Sequence, residues 1–379
     1  MIRRLTARAG VRGVVALCVF GVVAAGTGTA LAKEQPRFFQ PTRFAEVDLV
    51  SDQMGKAALT DPLLVNSWGL AESPTSPLWV ANNGLAQGHT SHTATIYSGG
   101  GIAPIANTGR VITLPGDEGP TGEAFNPVTD ATQFVVTNPT THAHGPAVFL
   151  WVTEGGDLLA WNPTADPNNA FVVGHSDGAV YKGLAVWQTP LGNFLLATDF
   201  HNGRVDVYDS SFRLLTGLGN RFFHDRRLPS GFAPFNVKTV GETVYVSYAK
   251  QDAAREDDVP GLGNGFVDKY TDFGQNVDRV ASRGTLNSPW GLAIAPPSFG
   301  KFAGDLLVGN FGDGHINAYR GHDFEGQLQN EKGKTIVIDG LWALLPGSAS
   351  SGGVNNVWFS AGPDGEAHGL VGLITPKSH

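Results

Sequence analysis

The chain has 379 residues, with 50 Gly, 23 Pro and 16% charged residues. So much glycine argues against a helical bundle, and 41% hydrophobic residues argue against a disordered chain. A formal net charge of -8 argues against a surface that wraps nucleic acid, so no nucleic-acid partner is expected.

Residues 1–32 read as a secretory signal. Arg3, Arg4, Arg8 and Arg12 form a basic start, Val14 to Gly26 is a short apolar run, and Ala30-Leu31-Ala32 is a small-residue cleavage site. The expected location is therefore secreted, extracellular or periplasmic. Removing the segment takes four of the 26 basic residues and none of the 34 acidic ones, leaving 22 against 34, or about -12. Cys18 is the one cysteine and leaves too, so the mature chain, 33–379, holds together without disulfides. It contains no second long apolar run, and no membrane span is expected in it.

Residues 33–379 read as a single domain built from a repeat. Ser67-Trp68-Gly69-Leu70-Ala71 recurs as Pro289-Trp290-Gly291-Leu292-Ala293 and, more weakly, as Tyr181-Lys182-Gly183-Leu184-Ala185. Looser copies are Pro120–Ala124, Pro234–Lys238 and Leu341–Leu345. Their second residues are 68, 121, 182, 235, 290 and 342, at spacings of 53, 61, 53, 55 and 52. Such periods indicate propeller blades. After each copy comes a β-rich run, such as Leu78–Asn82, Leu195–Asp199, Val244–Tyr248, Leu306–Asn310 or Val357–Ala361. Third runs such as Arg204–Tyr208 and fourth runs such as Arg110–Leu114 and Lys334–Ile338 follow. The expected fold is all-β, a six-bladed propeller of four-stranded antiparallel blades; a seventh blade is the alternative. In the second repeat either Phe134–Asn138 or Leu150–Glu154 fits the second strand, and the 61-residue spacing leaves room for an extra hairpin. The sixth repeat lacks an outer strand, and residues 44–50, half alternating in polarity, are expected to close it.

With these segments in view, the chain resembles a family of secreted bacterial β-propellers of unknown function. The resemblance rests on Leu49–Gln53, Asn66–Ala71, Asn202-Gly203, Gly231–Asn236, Tyr248–Asp252, Gly263–Asp268 and Asn287–Asn317, and spans about residues 44 to 375. It implies the propeller fold and no activity. A looser likeness extends to lactonase-like and NHL-type propellers, which include enzymes and pure binding modules.

Aligning the repeats puts Asn82, Glu154, Asp199, Tyr248, Asn310 and Ala361 together at the ends of the second strands, each after a small residue. Asn82, Glu154, Asp199 and Asn310 carry oxygens that suit a hard cation such as calcium; capping of strand ends is the other reading. The inner-strand starts are Trp68, Thr121, Lys182, Phe235, Trp290 and Trp342, either blade packing or an aromatic floor for an apolar or sugar ligand. Lys182 is a candidate partner for Glu154 or Asp199. The charged insertion 249–265 is either a lid on that face or a solvated loop. The candidate ligand contacts are Trp68, Lys182, Asn236, Tyr248, Lys250 and Trp290. Gly174–Gly178 spells G-x-S-x-G but is read as a turn, because a nucleophile elbow needs a helix after it. The function expected is binding or scaffolding at the channel mouth, of a small molecule, sugar or peptide. The alternative is a metal-dependent, calcium-type hydrolase or lyase, and no residue is assigned as catalytic.

Overall fold

The computed structural model describes residues 43–218 and 221–377; the signal segment lies outside them. Six small antiparallel sheets form a ring, a six-bladed β-propeller. Among the described residues the helix content is one turn, Gly300–Phe302, and no helix is long and apolar enough to cross a membrane. The inner strands are Ser67–Ala71, Pro120–Phe125, Tyr181–Thr189, Phe232–Val240, Pro289–Ile294 and Leu341–Pro346, numbered here as blades 1 to 6. Their β-branched, leucine and aromatic residues pack between blades, and each interface has its own apolar cluster. Trp79, Trp151 and Trp161 fill the space between blades 1 and 2; Val246, Tyr248 and Trp187 fill that between blades 3 and 4.

The ring closes as expected. Arg43–Ser51 pairs antiparallel with Leu370–Lys377 as the outer strand of blade 6. Phe44 is fully buried there, its ring 4.9 Å from Phe299 and 6.1 Å from Phe302 in the interface with blade 5. In blade 2 the second strand is Phe149–Thr153, so Glu154 keeps its aligned place. Val135–Thr137 and His144–Pro146 form the extra hairpin that the long spacing left room for. Gly174–His175 ends a strand, and Tyr181–Thr189 follows the turn without an intervening helix.

Two outer edges differ from the expectation. Lys334–Ile338 is not a strand; the fourth strand of blade 5 is Asp323–Gln327. Ile336 and Ile338 instead turn inward and are buried with Phe44 in the interface between blades 5 and 6. Blade 3 has three strands, and beyond them a single bridge joins Tyr208 to Leu214. The chain that follows brings Phe223 against Trp187, rings 5.1 Å apart, and so covers apolar surface with an aromatic loop in place of a ladder.

Around the axis the inner strands approach closely at one recurring position. A Cβ on Gly69 would lie 2.5 Å from the Thr121 carbonyl oxygen, one on Gly122 2.7 Å from the Gly183 carbonyl carbon, and one on Gly291 2.8 Å from the Trp342 carbonyl oxygen. Each contact is with the backbone of the next blade, which explains why the repeat carries glycine there. Gly122→Ala should destabilise the fold by about 1–3 kcal/mol or more, because backbone must move; a denaturant midpoint equal to that of the parent would contradict the packing. Deleting residues 33–52 opens the ring at its seam and should abolish a single cooperative thermal transition. Retention of the parent melting temperature would show that the strand does not close the ring.

Candidate functional site

The aligned residues share a backbone feature. In every blade the inner strand breaks register where that residue sits. Tyr181 pairs with Asp199 and Gly183 with Thr198, which skips Lys182; Phe235 and Trp290 are skipped in the same way. In blades 1, 2 and 6 the skipped pairs contain Trp68, Thr121 and Trp342. A β-bulge re-aims its side chain, and here the bulges bring side chains from different blades together on the axis. Trp68 stacks on Trp342 at 3.5 Å between centroids, and Phe311 stacks on Trp342 at 3.8 Å. Trp290 and Phe235 close in at 5.9 and 6.0 Å from Trp342. The aromatic residues therefore fill the axis. Polar bonds lock the same layer: Thr121 donates to the Tyr181 carbonyl at 2.8 Å, Asn236 to the Trp290 carbonyl at 2.8 Å, and the Trp290 indole to the Lys182 carbonyl at 3.1 Å.

Lys182 lies against this plug with its side chain only 2% exposed. Its ammonium is 5.3 Å from the Trp68 ring and pairs with Glu154 and, at 3.3 Å, with Asp257 of the 249–265 insertion. Burial pulls the Lys182 pKa down, but the two carboxylates outweigh it and hold the ammonium above its ordinary range. Glu154 also accepts from Asn83 at 3.0 Å, Asn83 accepts from Asn66 at 3.1 Å, and Asn66 donates to Glu366 at 2.9 Å and accepts from the Trp342 indole at 3.0 Å. One polar network thus runs from the aromatic plug to the mouth. Burial, with Glu154 nearby, pushes the Glu366 carboxyl up to about 7, and burial raises Asp258 to about 6. Four carboxyl groups surround one ammonium at this mouth. The insertion carrying two of them is tied down where Gly261 donates to the Asn287 side chain at 2.6 Å.

Of the expected contacts, Trp68, Lys182, Asn236 and Trp290 come together here. Tyr248 does not: its hydroxyl meets Tyr270 deep in the interface between blades 3 and 4. Lys250 is exposed at the root of the insertion, its carbonyl accepting from Val259 at 2.8 Å. The four oxygen-bearing strand ends are not gathered. Asn82 donates to Thr93 and Thr95 of its own blade, each at 3.1 Å. Asp199 accepts from Asn202 and pairs with Arg204 at 3.1 Å. Asn310 donates to Asp313 at 3.0 Å and to the Thr285 carbonyl at 2.8 Å. These three cap strand ends, because the bulge that aims a side chain at the axis lies in the inner strand and not in the second. Glu154 alone reaches the centre. Among the described residues no group of three His, Cys, Asp or Glu is arranged to hold a metal. Asn66, Asn83 and Glu366 were missed by sequence reasoning. The repeated Asn-Ser before the aligned residue, at Asn66-Ser67 and Asn287-Ser288, was the available signal for Asn66.

No family model matches the chain. Two uncharacterized proteins of Acanthamoeba polyphaga mimivirus are similar to it. One is 34% identical over 336 residues, covering 86% of this chain and 78% of the viral protein. The other is 30% identical over 338 residues, covering 86% and 84%. These relatives are viral, whereas the resemblance read from the sequence was to bacterial proteins. Among solved structures, an α-L-arabinofuranosidase from Fusarium graminearum is similar with a TM-score of 0.51 and 10% identity, over 88% of this chain and 98% of that one. A streptogramin B lyase is similar with a TM-score of 0.46 and 12% identity, over 88% and 97%. At 10% identity the likeness to the arabinofuranosidase shows the fold alone.

The raised carboxyls fix the direction of a pH dependence. Glu366 at about 7 keeps its proton in the folded chain where an unfolded glutamate, near 4.5, has lost it. The folded state then binds more protons, so stability falls as pH rises from about 4.5 to 7. Glu366→Gln should flatten the decline in melting temperature across that window while leaving the value near pH 4.5 little changed. An unaltered slope in the variant would show that Glu366 titrates normally.

Proposed function

The chain belongs to the same family as the two mimivirus proteins, and we propose that it is a secreted ligand-binding propeller whose Lys182 mouth takes the cationic groups of a peptide or protein partner. The observation that carries this reading is the set of Glu154, Asp257, Asp258 and Glu366 around a single buried ammonium. With all of them ionised, four negative charges face one positive charge. A ligand bringing lysine or arginine side chains adds the positive charge that this carboxyl-rich mouth lacks, and it meets carboxyl groups already oriented by Asn66 and Asn83. Asp257 is 77% exposed and stands ready to exchange Lys182 for an incoming cation. The plugged axis supports binding at the rim. The signal-like pattern of residues 1–32 supports secretion.

A second reading, a hydrolase or lyase, is favoured by one observation. Asp258 and Glu366 titrate close to neutrality, where general acid and base groups work best.

Titration with hexa-arginine at low salt, followed by calorimetry, tests the first reading. Saturable binding is expected, weakening as salt screens the mouth and falling at least tenfold in the double variant Glu154→Gln with Glu366→Gln. Equal affinity of hexa-arginine for parent and double variant would remove the mouth as the site. Turnover of an ester or lactone substrate, lost in the same variant, would favour the second reading.

A further inference from the structure

At the opposite ends of the inner strands the ring opens again, into a cavity of about 350 Å3. A narrower void of about 30 Å3 shares its wall and reaches Trp290, so it backs onto the aromatic plug from the other side. All six inner strands contribute to these two spaces, which places them on the axis. The walls are largely apolar, with Leu70, Leu184, Val186 and Leu345 among them. Lys238, in the inner strand of blade 4, lines both spaces and so stands at the throat of the funnel. Glu72 follows the inner strand of blade 1 and lines the wide part.

Blades 1 and 4 stand opposite each other in a ring of six. Glu72 is nonetheless the charge that acts on Lys238, so both side chains are turned into the cavity. Among the described residues no carboxylate forms an ion pair with the Lys238 ammonium, and it donates no hydrogen bond. Burial lowers the Lys238 pKa, and Glu72 offsets part of that fall. Burial also raises Glu72 to about 7, with Ser348 and Ser351 beside it acting the other way. Glu123 takes no part, because its carboxyl is buried beside the Trp151 indole and the Ala81 amide, between blades 1 and 2. A lysine in an apolar cavity with no fixed counter-ion keeps part of its population as free amine, a nucleophile toward a carbonyl carbon. The cavity has small-ligand size, about 300 Å3 or more.

We propose that this funnel is a second site, independent of the Lys182 mouth, where Lys238 captures a small apolar aldehyde as an imine and Glu72 moves the proton. The body of the aldehyde lies on the leucine and valine walls. The Lys238 Nζ lone pair attacks the carbonyl carbon, and one amine proton passes to the oxygen, giving a carbinolamine. Protonated Glu72, on the facing wall, gives its proton to the hydroxyl, which leaves as water while the C=N bond forms. The iminium nitrogen then returns its proton to the Glu72 carboxylate. One water is released, and no oxidant or reductant is consumed. The imine also leaves no charge on an apolar wall, where an ammonium without a partner is costly. A carboxylic acid would gain Lys238 but would face Glu72 once both were ionised.

The test treats the full chain with 3-phenylpropanal and sodium cyanoborohydride at pH 7, which reduces any imine to a stable adduct, and maps the adduct by peptide mass spectrometry. Lys238 should be labelled at least tenfold faster than the exposed Lys250 and Lys332 of the same chain. Leu345→Trp, which fills the funnel, should slow labelling of Lys238 at least tenfold and leave the exposed lysines unchanged. Glu72→Gln should slow it at least tenfold as well. Lys238→Met should lose the adduct, and the map on the parent chain decides the matter if that variant does not fold. Equal labelling of Lys238 and the exposed lysines, indifference to Leu345→Trp, or an equal or faster rate in Glu72→Gln would each overturn the proposal. Glu154→Gln, at the other mouth, should leave the labelling unchanged, so failure here is separable from failure of hexa-arginine binding.

Discussion

The whole ring depends on how closely neighbouring inner strands approach at the axis. Where Gly69, Gly122 and Gly291 stand, the backbone of the next blade occupies the space of a Cβ. Six blades can be drawn that tightly around an axis only if the strand yields locally, and it yields by bulging one residue earlier. The bulge turns Trp68, Phe235, Trp290 and Trp342 onto one another, and their apolar surface seals the centre. Blade 4 shows how the rule bends. Asn236 replaces the glycine, and its side chain joins the contact by donating to the next strand at Trp290.

The same constraint decided what could be read from the sequence. The repeat was legible because a backbone requirement recurs at each turn of the ring, and the requirement is met by few residue types. Residues 44–50 were legible as the closing strand because the sixth repeat lacked an edge partner. The second-strand ends were misread as a converging set. Asn82, Asp199 and Asn310 are polar and aligned, but direction is set by where a strand bulges, and residue type does not report that. Lys334–Ile338 was misread for a related reason: its two isoleucines alternate as in a strand, yet both are consumed by packing against blade 5 and Phe44. Asp257 lies in the charged insertion that the sequence offered as a lid on this face, but Glu366 and Asn83 come from connections that share no pattern, so nothing in the repeat announced that they join the network around Lys182.

Charge is distributed around the plug in a consistent manner. On each side a single lysine sits among a larger number of carboxyls: Lys182 with Glu154, Asp257, Asp258 and Glu366, and Lys238 with Glu72 and Glu123. The aromatic layer between them excludes water and keeps the two sets apart. Burial rather than ion pairing is the largest influence on Glu72, Glu123, Asp258 and Glu366, and all four are raised. A ring closed on a dry centre thus holds acidic groups at both mouths close to their protonated state, which is how so many can coexist.

The seam in blade 6 has a consequence for the order of assembly. Hydrogen bonds such as Ser360 to the Trp68 carbonyl join residues 292 positions apart, while the other interfaces join adjacent repeats. Loop-closure entropy grows only with the logarithm of length, so spanning six repeats instead of one costs about 1.6 kcal/mol more. Equilibrium therefore tolerates the long connection easily. Time does not: a nascent chain leaving the ribosome can stack blades 1 to 5 in sequence, but the first of them keeps a naked flank until Leu370–Lys377 has been synthesised.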